Sequence, residues 1–233
     1  MKLSVVMPVY NERDTVREIV DRVMGLPVEK ELVMVDDCST DGTRELLKEH
    51  FSNGTGGYGE IKVFFHDVNR GKGAAIRTAL KAVTGDFVII QDADLEYDPG
   101  DYMPLLQPVL RGEAGVVYGS RFMGEHAGFS SLHWWGNKML TVVTNLLYGS
   151  HLSDMETCYK LFKADVLKSI DFKANRFNFE PEITAMLLRG GVKILELPIK
   201  YRGRKSEDGK KITWRDGFSA LCTLIRCRFS KRP

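Results

Sequence analysis

The chain has 233 residues, 43% of them hydrophobic and 27% charged, with a formal net charge of +2. This composition suits one α/β domain with at most a short appendage. The near-neutral balance argues against a nucleic-acid partner, so any anion site must be local. Cys38, Cys158, Cys222 and Cys227 form no C-x-x-C pair, which speaks against zinc and fits free thiols in a reducing compartment. "MKLSVVMPVYNE" is too short an apolar run for a signal peptide, and no stretch of about 18 apolar residues occurs. The expected location is cytoplasmic, with membrane contact only peripheral, on the cytoplasmic face.

Strand-length apolar runs alternate with helical patterns. "LSVVMPV" reads as the first strand, and the helix after it places Val16, Ile19, Val20 and Val23 on one face. "KELVMVDD" is a second strand, followed by the helix "STDGTRELLKEHF", which Ser39, Thr40 or Asp41 can cap. "IKVFFH" is a third strand, "GKGAAIRTALKAV" a helix, "DFVIIQD" a fourth strand and "GVVYGSR" a fifth. Strands apolar on both faces with helices between them predict a mostly parallel sheet, Rossmann-like, covered on both faces. Right-handed crossovers then put the strand C-termini on one edge, where such sheets bind ligands. Asp36 and Asp37, Asp92 and Asp94, and Arg121 all fall at that edge.

"QDADLEYDPGD" (91–101) sets five carboxylates directly after a buried strand. Asp92 and Asp94 can face one cation, and hard oxygens suit Mg²⁺ or Mn²⁺ shared with substrate phosphates; Asp98 and Asp101 read as turn and helix-cap residues. Asp36 or Asp37 can bind a ribose or base edge, or cap the next helix. "NRGKGAAIRTAL" (69–80) places Lys72 at a helix start that attracts anions, but it is neither a P-loop nor G-x-G-x-x-G. The glycine-rich segment 52–60 reads as a connector, and the polar segments 122–131 and 202–211 as lids.

"VVMPVYNE", "VDDCSTDGT", "NRGKGAAIRTAL", "DADLEYDP", "GSRF", "DMETCYKLF", "FNFEPEI" and "GKKITWRDG" occur in this order. Together they resemble the inverting glycosyltransferases of family two, with the GT-A fold. The later motifs are most similar to the dolichyl- or polyprenyl-phosphate mannosyl- and glucosyltransferases. The resemblance implies a metal-dependent transfer of a hexose from a GDP- or UDP-hexose to polyprenyl phosphate. It implies a pocket for the nucleotide lined by Pro8, Tyr10 and Glu12, with Asp36 or Asp37 on the base or ribose. Asp92 and Asp94 would hold the metal, assisted by Glu96. Lys72 joins the donor-binding set, Arg121 would bind the acceptor phosphate, and Arg202, Arg204 and Lys211 would close over the diphosphate. Glu96 stands where the family often has Gln, and the segment after "GSR" offers His133 or Lys138 in place of a second arginine.

An acceptor hydroxyl would need a base, for which Glu180 and Glu182 are the candidates; Pro181 between them marks the first turn of a helix, whose dipole both acids favour. An ionised phosphate needs only orientation and charge matching. A glycosyltransferase acting on a sugar hydroxyl of a glycan or glycolipid, and a non-catalytic nucleotide-sugar-binding module, are the alternative functions. "SSLHWWGNKMLTVVTNLLYG" (130–149) is either a core helix or one wall of an isoprenoid groove. Residues 1–201 are expected to form the catalytic domain, and 202–233 a basic loop with an amphipathic helix belonging to it. That helix is read as placing Trp214, Phe218, Leu221, Leu224, Ile225 and Phe229 on one broad face, with Arg226, Arg228, Lys231 and Arg232 poised for anionic lipid.

Overall fold

The computed structural model describes residues 1–51, 59–127, 131–203 and 214–230. Its centre is a seven-stranded sheet. β1 (Leu3–Val9), β2 (Lys30–Asp36), β3 (Glu60–Phe65) and β4 (Phe87–Ile90) are the first four apolar runs, and β5 is Val116–Ser120. These five are joined by β7 (Lys160–Lys163) and β8 (Ile194–Pro198), in the order β3-β2-β1-β4-β7-β5-β8. A small second sheet pairs β6 (His126–Ala127) with β9 (Tyr201–Arg202). The alternation of α and β elements and the covered parallel sheet are those expected from the sequence.

One strand departs from that expectation. β7 lies antiparallel between β4 and β5, with Ile89 opposite Leu161 and Tyr118 opposite Lys160. Its start, not its end, therefore meets the edge where β1, β2, β4 and β5 terminate. Residues 154–159, which precede it, are carried to the ligand edge.

α1 (Val16–Met24) buries Val16, Ile19, Val20 and Val23, the face read from its spacing. α2 (Thr43–His50) starts after Gly42, and Asp41 accepts from the Thr43 amide at 3.0 Å just outside it. α3 (Lys72–Leu80) packs on β1 and β2, and α4 (Tyr102–Leu110) on β5. α5 (Ser131–Tyr148), α7 (Phe179–Arg189) and α8 (Trp214–Phe229) form a satellite core around Leu140, Met155, Ala185, Ala220, Leu224 and Cys227. On α8 it is Ala220, Leu224 and Cys227 that face inward, whereas Phe218, Ile225 and Phe229 face outward. The helix thus has apolar stripes on two sides, not the single broad face read from the sequence.

The edge opposite the ligand side is fastened by one acid. Glu31, fully buried, accepts from Ser4 Oγ (2.5 Å), the Thr84 amide (2.5 Å), Thr84 Oγ1 (3.0 Å), the Gly85 amide (3.2 Å) and Lys62 Nζ (2.8 Å). Burial alone would raise its carboxyl, but the hydrogen bonds from Lys62, Ser4 and Thr84 outweigh that and hold it well below the usual carboxylate range. A depressed folded-state pKa stabilises above the unfolded value of about 4.3 and is lost as pH falls. Glu31→Ala is expected to cost about 3–5 kcal/mol, as for a broken buried pair. Glu31→Gln should flatten the decline of melting temperature between about pH 5 and pH 2. Thermal melts across that range check both.

Candidate active site

Three strand exits meet at the ligand edge, and each carries a non-glycine residue with positive φ: Asn11 (51°) after β1, Cys38 (65°) after β2 and Leu95 (63°) after β4. Such backbone persists only where its surroundings over-determine it. The first two exits are stitched together. Asn11 Oδ1 accepts from the Thr40 amide at 2.8 Å, Ser39 Oγ accepts from the Asn11 amide at 2.9 Å, and Thr43 Oγ1 accepts from the Glu12 amide at 2.9 Å. Pro8 lies in β1 opposite Val35, and Tyr10 follows at the exit. The Glu12 carboxylate accepts from Thr15 Oγ1 at 2.8 Å, beside the start of α1.

The acids of β2 hold loops. Asp36, fully buried, accepts from Arg44 Nε at 2.7 Å and from the Ser39 amide at 3.3 Å. Asp37 accepts from the amides of Arg70 (2.8 Å) and Gly71 (2.6 Å), and its Oδ1 lies 2.7 Å from His66 Nδ1. A nucleotide contact from either acid would have to share these oxygens. Asp37 thereby fixes the "NRGKG" turn. Gly71 (φ +92°) and Gly73 lie so close to residues 174–175 that a Cβ on them would come within 2.5 Å of the Asn175 carbonyl and 2.4 Å of the Ala174 carbonyl. Only glycine allows this approach.

The turn delivers Lys72 between two carboxylates. Its Nζ lies 2.8 Å from Asp92 Oδ1 and 2.8 Å from Glu180 Oε1, with the lysine side chain 11% exposed. Burial works against the Lys72 charge, but Asp92 and Glu180 outweigh it and raise its pKa well above the ordinary value. Asp92 is held below its ordinary value, because Lys72 overcomes the cost of burial. Glu180 Oε2 is buried without a hydrogen-bond partner. Glu182 is occupied elsewhere: its carboxylate accepts from the amides of Lys173 and Ala174.

Further along the acidic turn, Asp94 Oδ1 accepts from the Glu96 amide at 3.1 Å, and Glu96 Oε2 accepts from Tyr201 Oη at 2.7 Å. Asp98 accepts from the Gly100 amide, the turn role expected of it, whereas the Asp101 side chain makes no cap hydrogen bond at the start of α4 and accepts from the distant Lys200 amide. Among the described residues, no three His, Cys, Asp or Glu side chains form a metal cage. Mg²⁺ commonly takes only one or two protein carboxylates and completes its shell with phosphate oxygens and water. The half-buried Asp94 fits that chemistry, whereas an Asp92 ligand would have to share oxygens with Lys72. The Arg202 amide donates to the Glu96 carbonyl at 2.9 Å and its side chain is exposed; Arg204 and Lys211 lie outside the described residues, as does most of 52–60 and of the 202–211 segment.

Arg121 follows β5 and is buried. It meets Asp154 through a two-point pair, Nε to Oδ2 at 2.7 Å and Nη2 to Oδ1 at 2.8 Å, and its own amide donates to Oδ2 at 3.0 Å. Its guanidinium also stacks over Tyr201, 5.3 Å from the ring centre. The sequence reading missed Asp154, Glu156 and Lys160. All three lie in "DMETCYKLF", and only the reversed direction of β7 brings them to this edge. Lys160, fully buried, donates from Nζ to the carbonyls of Met155 (2.9 Å) and Thr157.

A mostly parallel sheet with strained strand exits, an acidic turn after β4 and a buried arginine after β5 is the layout of a GT-A scaffold. The chain belongs to glycosyl transferase family 2, whose model matches residues 4–171. It is therefore a glycosyltransferase. It is 32% identical over 214 residues to the low-salt glycan biosynthesis hexosyltransferase Agl6 of Haloferax volcanii, covering 88% of this chain but only 49% of that protein. It is 26% identical over 244 residues to a UDP-N-acetylglucosamine–dolichyl-phosphate N-acetylglucosaminyltransferase of Methanococcus voltae, covering 98% and 97% of the two chains. The fold matches glucosyl-3-phosphoglycerate synthase of Mycobacterium tuberculosis, solved with Mn²⁺, UDP and phosphoglyceric acid, with a TM-score of 0.76 at 20% identity over 99% of this chain and 80% of that one.

Removing either partner of the Arg121–Asp154 pair should leave a buried charge and cost about 3–5 kcal/mol. Arg121→Met with Asp154→Leu together should cost clearly less than the sum of the two single changes. Denaturant melts of the four proteins measure that coupling.

Proposed function

We propose that the chain transfers a hexose, with inversion, from a GDP- or UDP-hexose to polyprenyl phosphate. The observation that carries this is the occupation of both candidate bases. Glu182 is bound to two backbone amides, and Glu180 is paired with Lys72. A sugar hydroxyl needs a carboxylate to take its proton, whereas a phosphate monoester is already ionised near neutral pH. A site whose two candidate bases are held in this way, one by amides and one in an ion pair, suits the second kind of acceptor. The name of the Methanococcus voltae relative points the same way.

In this reading an oxygen of the acceptor phosphate attacks the anomeric carbon as the bond to the nucleoside diphosphate breaks on the opposite face. Arg121, held rigid by Asp154, supplies positive potential for the acceptor phosphate. Asp94, beside Glu96, would hold Mg²⁺ or Mn²⁺, which when bound neutralises charge on the departing diphosphate. Pro8 and Tyr10 line the nucleotide side.

The surface suits a lipid-borne acceptor. α5 turns Trp135 (67% exposed), Met139, Val142 and Leu146 (80%) outward, and α8 turns out Phe218, Ile225 and Phe229 (78%). Arg226 and Arg228 are exposed on α8 beside that stripe. Trp and apolar side chains with neighbouring cations suit the interface of an anionic bilayer. Among the described residues no helix is long and apolar enough to cross one.

Radiolabelled GDP- and UDP-hexoses incubated with polyprenyl phosphate should yield label in the organic phase, and the matching polyprenol or a free glycan should yield none. Equal transfer to a neutral hydroxyl acceptor would overturn the reading. Asp94→Ala should lower turnover by about 10²–10³-fold with an unchanged melting temperature, in the range seen for loss of one transition-state-stabilising group. Vesicles rich in phosphatidylglycerol should sediment the protein at low salt, and Trp135→Ser with Leu146→Ser should release it.

A further inference from the structure

One acid at the ligand edge has no place in this mechanism. Glu156 lies between Asp154, which holds Arg121, and Thr157, whose Oγ1 donates to the Gly119 carbonyl at 2.6 Å. Its Oε1 is sealed from solvent without a hydrogen-bond partner, and so is Oε2 of Glu180. The charged groups that face it are Glu180 from α7, Lys160 from β7, Arg121 after β5 and Asp154 on its own segment. Lys72 and the part-exposed Asp92 adjoin this group through Glu180.

With Glu180 ionised against Lys72, the charges of this group balance without Glu156. Lys72, Lys160 and Arg121 are its cations, and Asp92, Glu180 and Asp154 its anions. An ionised Glu156 would add an unmatched negative charge near Glu180, whose Oε2 already lacks a partner. It would also stand beside the places where a diphosphate and an acceptor phosphate bind. Buried charge without a partner is strongly disfavoured.

We propose that Glu156 is a positioning residue that works as a neutral acid, keeping the joint between the donor and acceptor halves uncharged so that two anionic substrates can enter it. Its ionisation would repel both. Burial first, and the Glu180 charge second, push the Glu156 carboxyl up to about 8. Burial pulls Lys160 down to about 8, while its Nζ donates to two carbonyls.

The acceptor half of this inference rests on the anionic-acceptor reading, so the primary test needs no acceptor. Calorimetric titration of the protein with UDP and GDP from pH 6.5 to 9.5, at fixed Mn²⁺, should show affinity falling up to about tenfold per unit above about pH 8, as for one ionising group. Glu156→Gln, a neutral isostere, should bind as wild type does at pH 7 and should lose that alkaline decline. Melting temperature gives a second readout. A raised folded-state pKa contributes stability that is full below about 4.3, is lost progressively as pH rises and is gone above about 8, so wild type should weaken between pH 6.5 and about 8 more than Glu156→Gln does. If Glu156→Gln is folded but binds neither nucleotide at pH 7, the group acts as a carboxylate and the proposal falls. If the alkaline decline persists in Glu156→Gln, it belongs to Lys160 and the proposal falls as well. Should nucleotide binding behave as expected while no polyprenyl phosphate is glycosylated, the acceptor reading fails and the role of Glu156 toward the donor stands.

Discussion

The bridge from Lys72 to Asp92 and Glu180 is the contact on which the ligand edge depends. It places one ammonium, nearly dehydrated, against carboxylates from a strand exit and from a helix start. Desolvation penalises all three charges, and only close mutual contact compensates. That closeness is set by backbone rather than by side chains. Asp37 grips the amides of Arg70 and Gly71, and two glycines let the turn lie on residues 174–175. The overlapping residues 173–174 hold Glu182 through their amides, so α3 and the start of α7 are clamped by one short segment. Acids conspicuous in the sequence, Asp37 and Glu182 among them, thus hold the frame of this edge through backbone amides.

The parallel half of the fold was legible because it is local. β1, β2 and β4 are continuous apolar runs, and α1 buries the face its spacing marks. The acidic turn after β4 and Arg121 after β5 could be placed at one edge by topology alone. β7 was not legible: four residues long and reversed, it carries too little pattern to reveal its direction. Asp154, Glu156 and Lys160 went unseen with it. The partners of Asp37 and Glu182 were hidden for a different reason. They are backbone amides, which every residue has, so no spacing of side chains announces them. On α5 and α8 the 3.6-residue period finds apolar faces but cannot say which is covered, since both the inner and the outer stripes are apolar.

Glu31, at the far edge, has a consequence for how such a chain can change over time. From the start of β2 it ties the entry of β1, β3 and the turn leading into β4 into one register, using partners from three separate segments. Strand alignment is therefore fixed at the end of the sheet where β1, β2 and β4 begin. The loops at the other end are free to drift in length and character, and with them the choice of sugar and acceptor, while the strands beneath stay in step. A scaffold anchored at its far pole can host many specificities without being rebuilt for each.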